Sequence, residues 1–244
     1  MSKIESIYGE FLHGEQQKRN PKHKDYFRAS SAGSCFRKQY YMLRQDDYEQ
    51  NVLDDRVMRL LRLGTIVHAD IEKALNIYAE KNDDVTILTE KEIILPELNV
   101  VGHLDAALLN YEGDDCVSAE VFDLKTCASY KWRMKFGRNK EKNPSFNYEL
   151  QVGTYGLGIR AMYEVSEVSL SLLWYNKDTS AMREQKIDAL QWTDAAMEYW
   201  TELSETLVAV DDPETDLIPG VDFGVPMMDW ECRYCGFTQY CKGI

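Results

Sequence analysis

The chain has 244 residues, which suits one domain with a small appended lobe. Hydrophobic residues make up 44% and charged residues 28%, ordinary for a globular protein, and no apolar run approaches the roughly 20 residues that span a bilayer. The formal net charge of −13 weighs against a nucleic-acid binder, although a local basic patch beside an acidic body can still hold DNA.

The first 20 residues, MSKIESIYGEFLHGEQQKRN, are too polar for a secretory signal, so a cytoplasmic protein with reduced thiols is expected. A helix and a loop fill residues 1–30, where Lys18, Arg19, Lys22, Lys24 and Arg28 lie close together. Ser30, Ser31 and Ser34 offer N-caps for a helix near residues 35–45. Apolar residues recur at helical spacing over 52–80 (Val57, Leu60, Leu61, Leu63, Val67, Ile71, Leu75, Tyr78), interrupted at Gly64, which predicts two helices or one bent helix. Residues 85–95 and 100–109 read as paired strands around a turn at Pro96–Asn99, and 117–125 as a third strand after the turn at Gly113, Asp114 and Asp115. A basic stretch runs from Tyr130 to Asn147. Residues 148–164 read as a helix despite three glycines, 167–175 and 182–188 as strands, and 191–210 as an amphipathic helix. The rest is an acidic, loop-like tail ending in DWECRYCGFTQYCKGI. This order predicts an α/β or α+β domain with a small mixed central sheet flanked by helices.

Asp105 lies on one predicted strand and Asp123-Leu124-Lys125 on the next. Two carboxylates brought together by neighbouring strands can hold Mg²⁺ or Mn²⁺, hard cations that prefer oxygen ligands. Lys125, two residues after Asp123, points to the same face and can activate water or stabilise phosphate charge. His68 and Glu72 share a helix face upstream, able to bind metal or to pair with each other. Gln151 and Tyr155 share a face on a later helix, where an amide and a phenol can hydrogen-bond a phosphate or a base, or be half-buried. An acidic-x-Lys triplet alone is commonplace on a solvated strand edge.

The order G-x-x-x-H, G-H-L-D, D-L-K, Q-x-x-x-Y resembles the PD-(D/E)xK nuclease superfamily, in its RecB-like branch, and so implies a restriction-endonuclease-like core. The resemblance implies metal ligation by His68, Asp105, Asp123 and the Leu124 carbonyl, a catalytic Lys125, and a DNA path lined by Gln151 and Tyr155. The chain departs from the pattern at Leu104, where the superfamily name has proline, and carries Asp123 where glutamate is commoner.

Cys232, Cys235 and Cys241 are spaced C-x2-C-x5-C, and three such thiolates call for a metal or cluster to neutralise them. Cys35 is the best fourth ligand. This arrangement resembles RecB-like iron–sulfur nucleases, which implies a [4Fe-4S] cluster on Cys35, Cys232, Cys235 and Cys241; zinc on the same thiolates remains the alternative. Cys116 and Cys127 are expected to be reduced and structural. Residues 30–50 with 211–244 would then form an iron–sulfur lobe on a core of residues 52–210, within one nuclease domain.

Lys131, Arg133, Lys135, Arg138, Lys140 and Lys142, interleaved with Trp132 and Phe136, suit single-stranded nucleic acid, with a solvated loop as the plainer reading. Arg37, Lys38, Arg56, Arg59 and Arg62 could extend the path. The expected function is a metal-dependent DNA exonuclease favouring single-stranded ends, in recombination, repair, or CRISPR or phage DNA processing. The alternatives are a non-catalytic DNA-binding accessory protein with a structural zinc or iron–sulfur site, or a zinc-ribbon interaction protein. The resemblance leaves open a homo-oligomer and partners from recombination or CRISPR adaptation. No membrane association and no P-loop are expected.

Overall fold

The computed structural model describes residues 2–17, 23–82, 85–138, 145–208, 210 and 231–241. In chain order the elements are α1 (Lys3–Gln17), β1 (Phe27–Arg28), α2 (Phe36–Leu43), α3 (Asp55–Ala79), β2 (Thr86–Leu95), β3 (Val100–Glu112), β4 (Asp115–Cys127), α4 (Ser129–Phe136), α5 (Phe146–Tyr163), β5 (Glu167–Asn176), β6 (Met182–Ile187) and α6 (Ala189–Val208). The strands form one mixed sheet of six. Its main path is β1-β3-β4-β5-β6, with β2 on the other edge of β3. The β2–β3, β3–β4 and β5–β6 pairs are antiparallel, and β4 runs parallel to β5. The parallel pair needs a crossover, and α4 with α5 supplies it.

The core lies between the sheet and α5, with α6 packed against α5. Leu104, Val121, Leu172 and Trp174 from the sheet, Val152 and Ile159 from α5, and Trp200 and Leu203 from α6 are fully buried. Each such aliphatic side chain contributes about 1.5–3 kcal/mol relative to leaving it exposed. The glycines that weaken α5 as an isolated helix are needed for this packing. A Cβ at Gly153 would run into the Trp192 carbonyl of α6.

Helix α3 is a single 25-residue helix through Gly64. Asp54 caps it, its Oδ1 accepting the Val57 N–H at 2.9 Å; such caps contribute about 0.5–2 kcal/mol. Its helical period is as expected, but Leu60, Leu61, Leu63 and Tyr78 are exposed, and Met58 is its buried hydrophobic residue. The stretch after Tyr130 is not wholly loop: α4 forms within it, packing Trp132 and Phe136 edge to face at 4.9 Å. Lys140 and Lys142 fall outside the described residues, as do Lys18, Arg19, Lys22 and residues 211–230. The serine cap of α2 is a correction. Cys35 is the N-cap and makes no side-chain cap bond, while Ser31 bonds Gln39 instead. Among the described residues no helix is long and apolar enough to cross a membrane.

The segment 231–241 packs on α2 and the loop after it. Asn51 donates to the Gly236 carbonyl at 2.8 Å, and Glu49 donates its N–H to the Tyr240 hydroxyl at 3.0 Å. The Tyr41 ring packs at a tilt against Tyr48, Phe237 and Tyr240 at centroid distances of 4.8, 5.6 and 5.7 Å.

Candidate active site

The β3–β4 ladder ends at the pair Ala106–Phe122. One step further stand Asp105 and Asp123. On the other edge of β3, the ladder with β2 passes from Thr89–Ala106 to Lys91–Leu104 and skips the Glu90–Asp105 position, where Glu90 takes φ 47°. Pairing is therefore interrupted around Asp105 on both edges. The Leu124 N–H, beyond the end of the ladder, is taken by the Asp105 side chain, Oδ2 accepting at 2.6 Å. Asp105 Oδ1 stands 3.2 Å from His68 Nδ1 on α3. This contact holds the His68 imidazole above its ordinary pKa.

α3 can come this close because of Gly64, four residues before His68. Its Cβ position lies 3.1 Å from the Thr126 hydroxyl of β4. Between α3 and the strands opens a cleft of about 550 Å³, lined by His68, Glu72, Glu90, Gly64, Thr126 and Lys177 among others.

Asp123 and Lys125 share one face of β4, as their spacing requires. The Asp123 carboxylate is 1% exposed, and its Oδ2 lies 2.6 Å from Lys125 Nζ. That is a charge contact with poor hydrogen-bond angles: neither Asp123 oxygen has a hydrogen bond among the described residues. Burial pushes the Asp123 carboxyl upward, and Asp105 adds to it, outweighing the pull of Lys125. Burial works against the Lys125 ammonium, but Asp123 and Asp105 overcome it and hold its pKa above the ordinary lysine value. The arrangement therefore gathers two carboxyl groups, the Lys125 ammonium and the His68 imidazole in one place. Carboxylate and imidazole are donor types that a divalent cation takes, and a cation here would reach the Asp123 oxygens that lack a hydrogen bond, but among the described residues no three His, Cys, Asp or Glu side chains already stand in metal-holding geometry, His68, Asp105 and Asp123 included.

Gln151 and Tyr155 of α5 stand behind the lysine. Lys125 Nζ donates to Gln151 Oε1 at 2.9 Å, and Gln151 Nε2 donates to the Tyr155 hydroxyl at 3.0 Å. These two side chains are buried, at 7% and 2% exposure. They buttress Lys125.

The basic residues of α4 and of the turn after it divide. Arg133 and Arg138 are exposed and Lys131 is half-buried. Lys135 turns inward, bonded to Ser145 and, at 3.2 Å, to Glu149, so its ammonium is already committed. Arg37 and Lys38 are engaged with the C-terminal segment. Arg37 donates to Cys241 Sγ at 3.6 Å, and Lys38 pairs with Glu231 at 3.4 Å. On α3, Arg56 is exposed, Arg59 reaches Asp55 at 4.0 Å and Arg62 lies over Phe11.

Burial, and then Cys235 and Cys241, raises the pKa of the Cys232 thiol; burial, with a smaller contribution from Cys241, raises that of Cys235; and Cys35 senses Cys241. Burial pushes the Cys35 thiol up to about 11. Its backbone N–H donates to the buried Glu231 carboxylate at 3.2 Å, which ties positions 35 and 231 together. Among the described residues no three His, Cys, Asp or Glu side chains already stand in metal-holding geometry. The four cysteines thus form a neighbourhood of the right donor type rather than a closed cage. Cys116 and Cys127 are free thiols away from this group.

Sequence reasoning missed three residues. Tyr148 places its ring 4.8 Å from Lys125 Nζ, and its position one helical turn before Gln151 was the available signal. Glu231 precedes Cys232 directly. Glu90 had no signal, because its backbone conformation is set by the interrupted ladder.

A model of the PD-(D/E)XK nuclease superfamily matches residues 75–242, more than half of the chain, including Asp105, Asp123, Lys125 and Gln151. A comparison with curated proteins finds no match. The crystal structure of SSO0001 superposes with a TM-score of 0.52 at 17% identity, over 99% of this chain and 97% of that one, a likeness of fold alone. A structure from Eubacterium rectale named "Putative exonuclease" is more distant, with a TM-score of 0.47 at 14% identity over 80% of this chain and 86% of that one, and carries no argument. The mixed α/β sheet has the restriction-endonuclease-like form, PD-(D/E)XK nucleases use divalent metals such as Mg²⁺ or Mn²⁺, and with the family match spanning the acidic–lysine strands this chain belongs to the PD-(D/E)XK nuclease superfamily.

Proposed function

We propose that the protein is a DNA exonuclease of the RecB-like, iron–sulfur type that works on single-stranded ends. The observation that carries the nuclease reading is the buried Asp123 carboxylate in charge contact with Lys125, one strand away from the His68–Asp105 contact. In this reading His68, Asp105, Asp123 and the Leu124 carbonyl hold Mg²⁺ or Mn²⁺. Bound there, the cation supplies Lewis acidity and neutralises phosphate charge. Lys125, fixed by Asp123 and Gln151, orients the attacking water or stabilises the charge that develops on the phosphate. Arg133 and Arg138, with Lys131, meet the incoming backbone, and Lys135 holds α4 to α5 instead of contacting DNA. Tyr155 acts through Gln151.

Cys35, Cys232, Cys235 and Cys241 carry a [4Fe-4S] cluster in this reading, with zinc as the less favoured occupant, and the cluster closes a lobe of residues 30–50 and 211–244 on the core. Its role is structural, without electron transfer during cleavage. A second reading, a non-catalytic DNA-binding accessory protein with a structural zinc or iron–sulfur site, is favoured by the absence, among the described residues, of three His, Cys, Asp or Glu side chains in metal-holding geometry.

One anaerobic preparation separates them. Mn²⁺-dependent shortening of end-labelled single-stranded DNA by the wild type, lost in Lys125→Ala, supports the exonuclease. DNA binding without cleavage supports the accessory module. Broad visible absorbance supports iron–sulfur; a colourless protein with stoichiometric zinc overturns it.

A further inference from the structure

Lys125 is held from three sides. Asp123 and Gln151 supply charge and a hydrogen-bond acceptor, and the third neighbour is the ring of Tyr148, whose centroid lies 4.8 Å from the Lys125 ammonium. The same ring lies 4.8 Å from Lys131 Nζ on α4. Tyr148 is itself fixed. It projects from the first turn of α5 and packs edge to face on Trp174, the fully buried tryptophan of β5, at 5.7 Å. An aromatic face attracts a cation without accepting a proton or forming a directional bond. It can therefore restrain an ammonium while leaving its hydrogens available for a phosphate oxygen or a water.

We propose that Tyr148 is a positioning residue for Lys125: its ring holds the ammonium by a cation–π contact and links it to Lys131 on the basic helix α4. The inference rests on the nuclease reading. It differs from a packing role in one respect: the electron-rich ring face matters, and the hydroxyl and the side-chain volume do not. Lysine 131 then gives the link a direction. A phosphate drawing Lys131 away from the ring would leave Tyr148 to Lys125 alone, so α4 engagement and lysine placement are connected through one side chain.

The test measures Mn²⁺-dependent cleavage of a labelled single-stranded oligonucleotide by the full chain. Wild type and Lys125→Ala are the controls, alongside Tyr148→Phe, Tyr148→Met and a series of progressively fluorinated phenylalanines at position 148. Tyr148→Phe should stay near the wild-type rate. Tyr148→Met, which keeps bulk without a ring, should lose kcat by about tenfold with KM unchanged. The fluorinated series, which holds shape nearly constant while draining the ring face, should fall stepwise, and it decides the matter if Tyr148→Met does not fold. The proposal is overturned by a flat fluorination series, by Phe falling as far as Met, or by a change confined to KM. If the wild type does not cleave while folding normally, the nuclease reading falls first and this inference with it. An active wild type with an unaffected fluorinated series removes the inference alone.

Discussion

Asp123 and Lys125 meet at 2.6 Å, yet the carboxylate is 1% exposed and has no hydrogen bond among the described residues. A buried charge left so poorly satisfied destabilises the fold unless something completes it. Removing its one cationic neighbour makes the position worse. Lys125→Ala should therefore lower the stability of the metal-free protein by about 3–5 kcal/mol, the usual cost of breaking a buried pair. Saturating Mn²⁺ should narrow the deficit, because the cation replaces the lost positive charge. Thermal unfolding with and without Mn²⁺ checks this. Activity should fall by about 10²–10⁴ in the same variant, the range for a general acid–base group.

Metal affinity should depend on pH with a definite sign. Burial and Asp105 raise the Asp123 carboxyl above the ordinary carboxylate value of about 4. A cation must displace that proton and compete with protonation of His68, whose pKa is also raised, so affinity should rise from mildly acidic to neutral pH and weaken as pH falls through the raised values. Asp123→Asn should flatten the dependence and weaken binding throughout. Calorimetric titration of Mn²⁺ at several pH values measures it. An affinity that stayed constant from neutrality down to about pH 5 would remove the raised carboxyl from the account.

Much of this architecture was legible in the chain. Strand alternation gave β2 to β6 to within a few residues, and the spacing of Asp123 and Lys125 correctly put both on one strand face. Three features escaped because each depends on a partner distant in sequence. β1 is a two-residue strand that exists because Val100 and Val101 pair with it. α3 exposes leucines that its periodicity assigns to a buried face, since periodicity reports a helix and not what covers it. Gln151 and Tyr155 share a face as expected, but only the packing of α6 on α5 and of α5 on the sheet makes that face an interior one.

The glycines of α5 lead to a stability prediction. Gly153 faces the Trp192 carbonyl of α6 so closely that a Cβ cannot be accommodated without separating the two helices. On helix propensity alone Gly153→Ala would stabilise by about 1 kcal/mol. The contact reverses the sign. Overpacking between backbones should cost about 1–3 kcal/mol net, a melting temperature lower by roughly 2–4 °C per kcal/mol in a domain of this size. Gly14, with nothing near its Cβ position, is the control: Gly14→Ala should be neutral or stabilising.

The cysteine neighbourhood is held by more than its thiols. Glu231 ties the Cys35 N–H to the C-terminal segment, and the rings of Tyr41, Tyr48, Phe237 and Tyr240 pack against one another across the same junction. Replacing Cys35 by serine should therefore not unfold the sheet. It should abolish the proposed cluster and loosen segment 231–241 on α2, seen as faster amide hydrogen exchange there, with β3 to β5 keeping their protection. Combining Cys35→Ser with Glu231→Ala should loosen the segment further and expose it to proteolysis, a larger effect than the sum of the two single changes because each alone leaves the other tie in place. If Cys35→Ser exchanged like the wild type everywhere, the aromatic packing and Glu231 would be sufficient, and a structural role for the cluster would be lost.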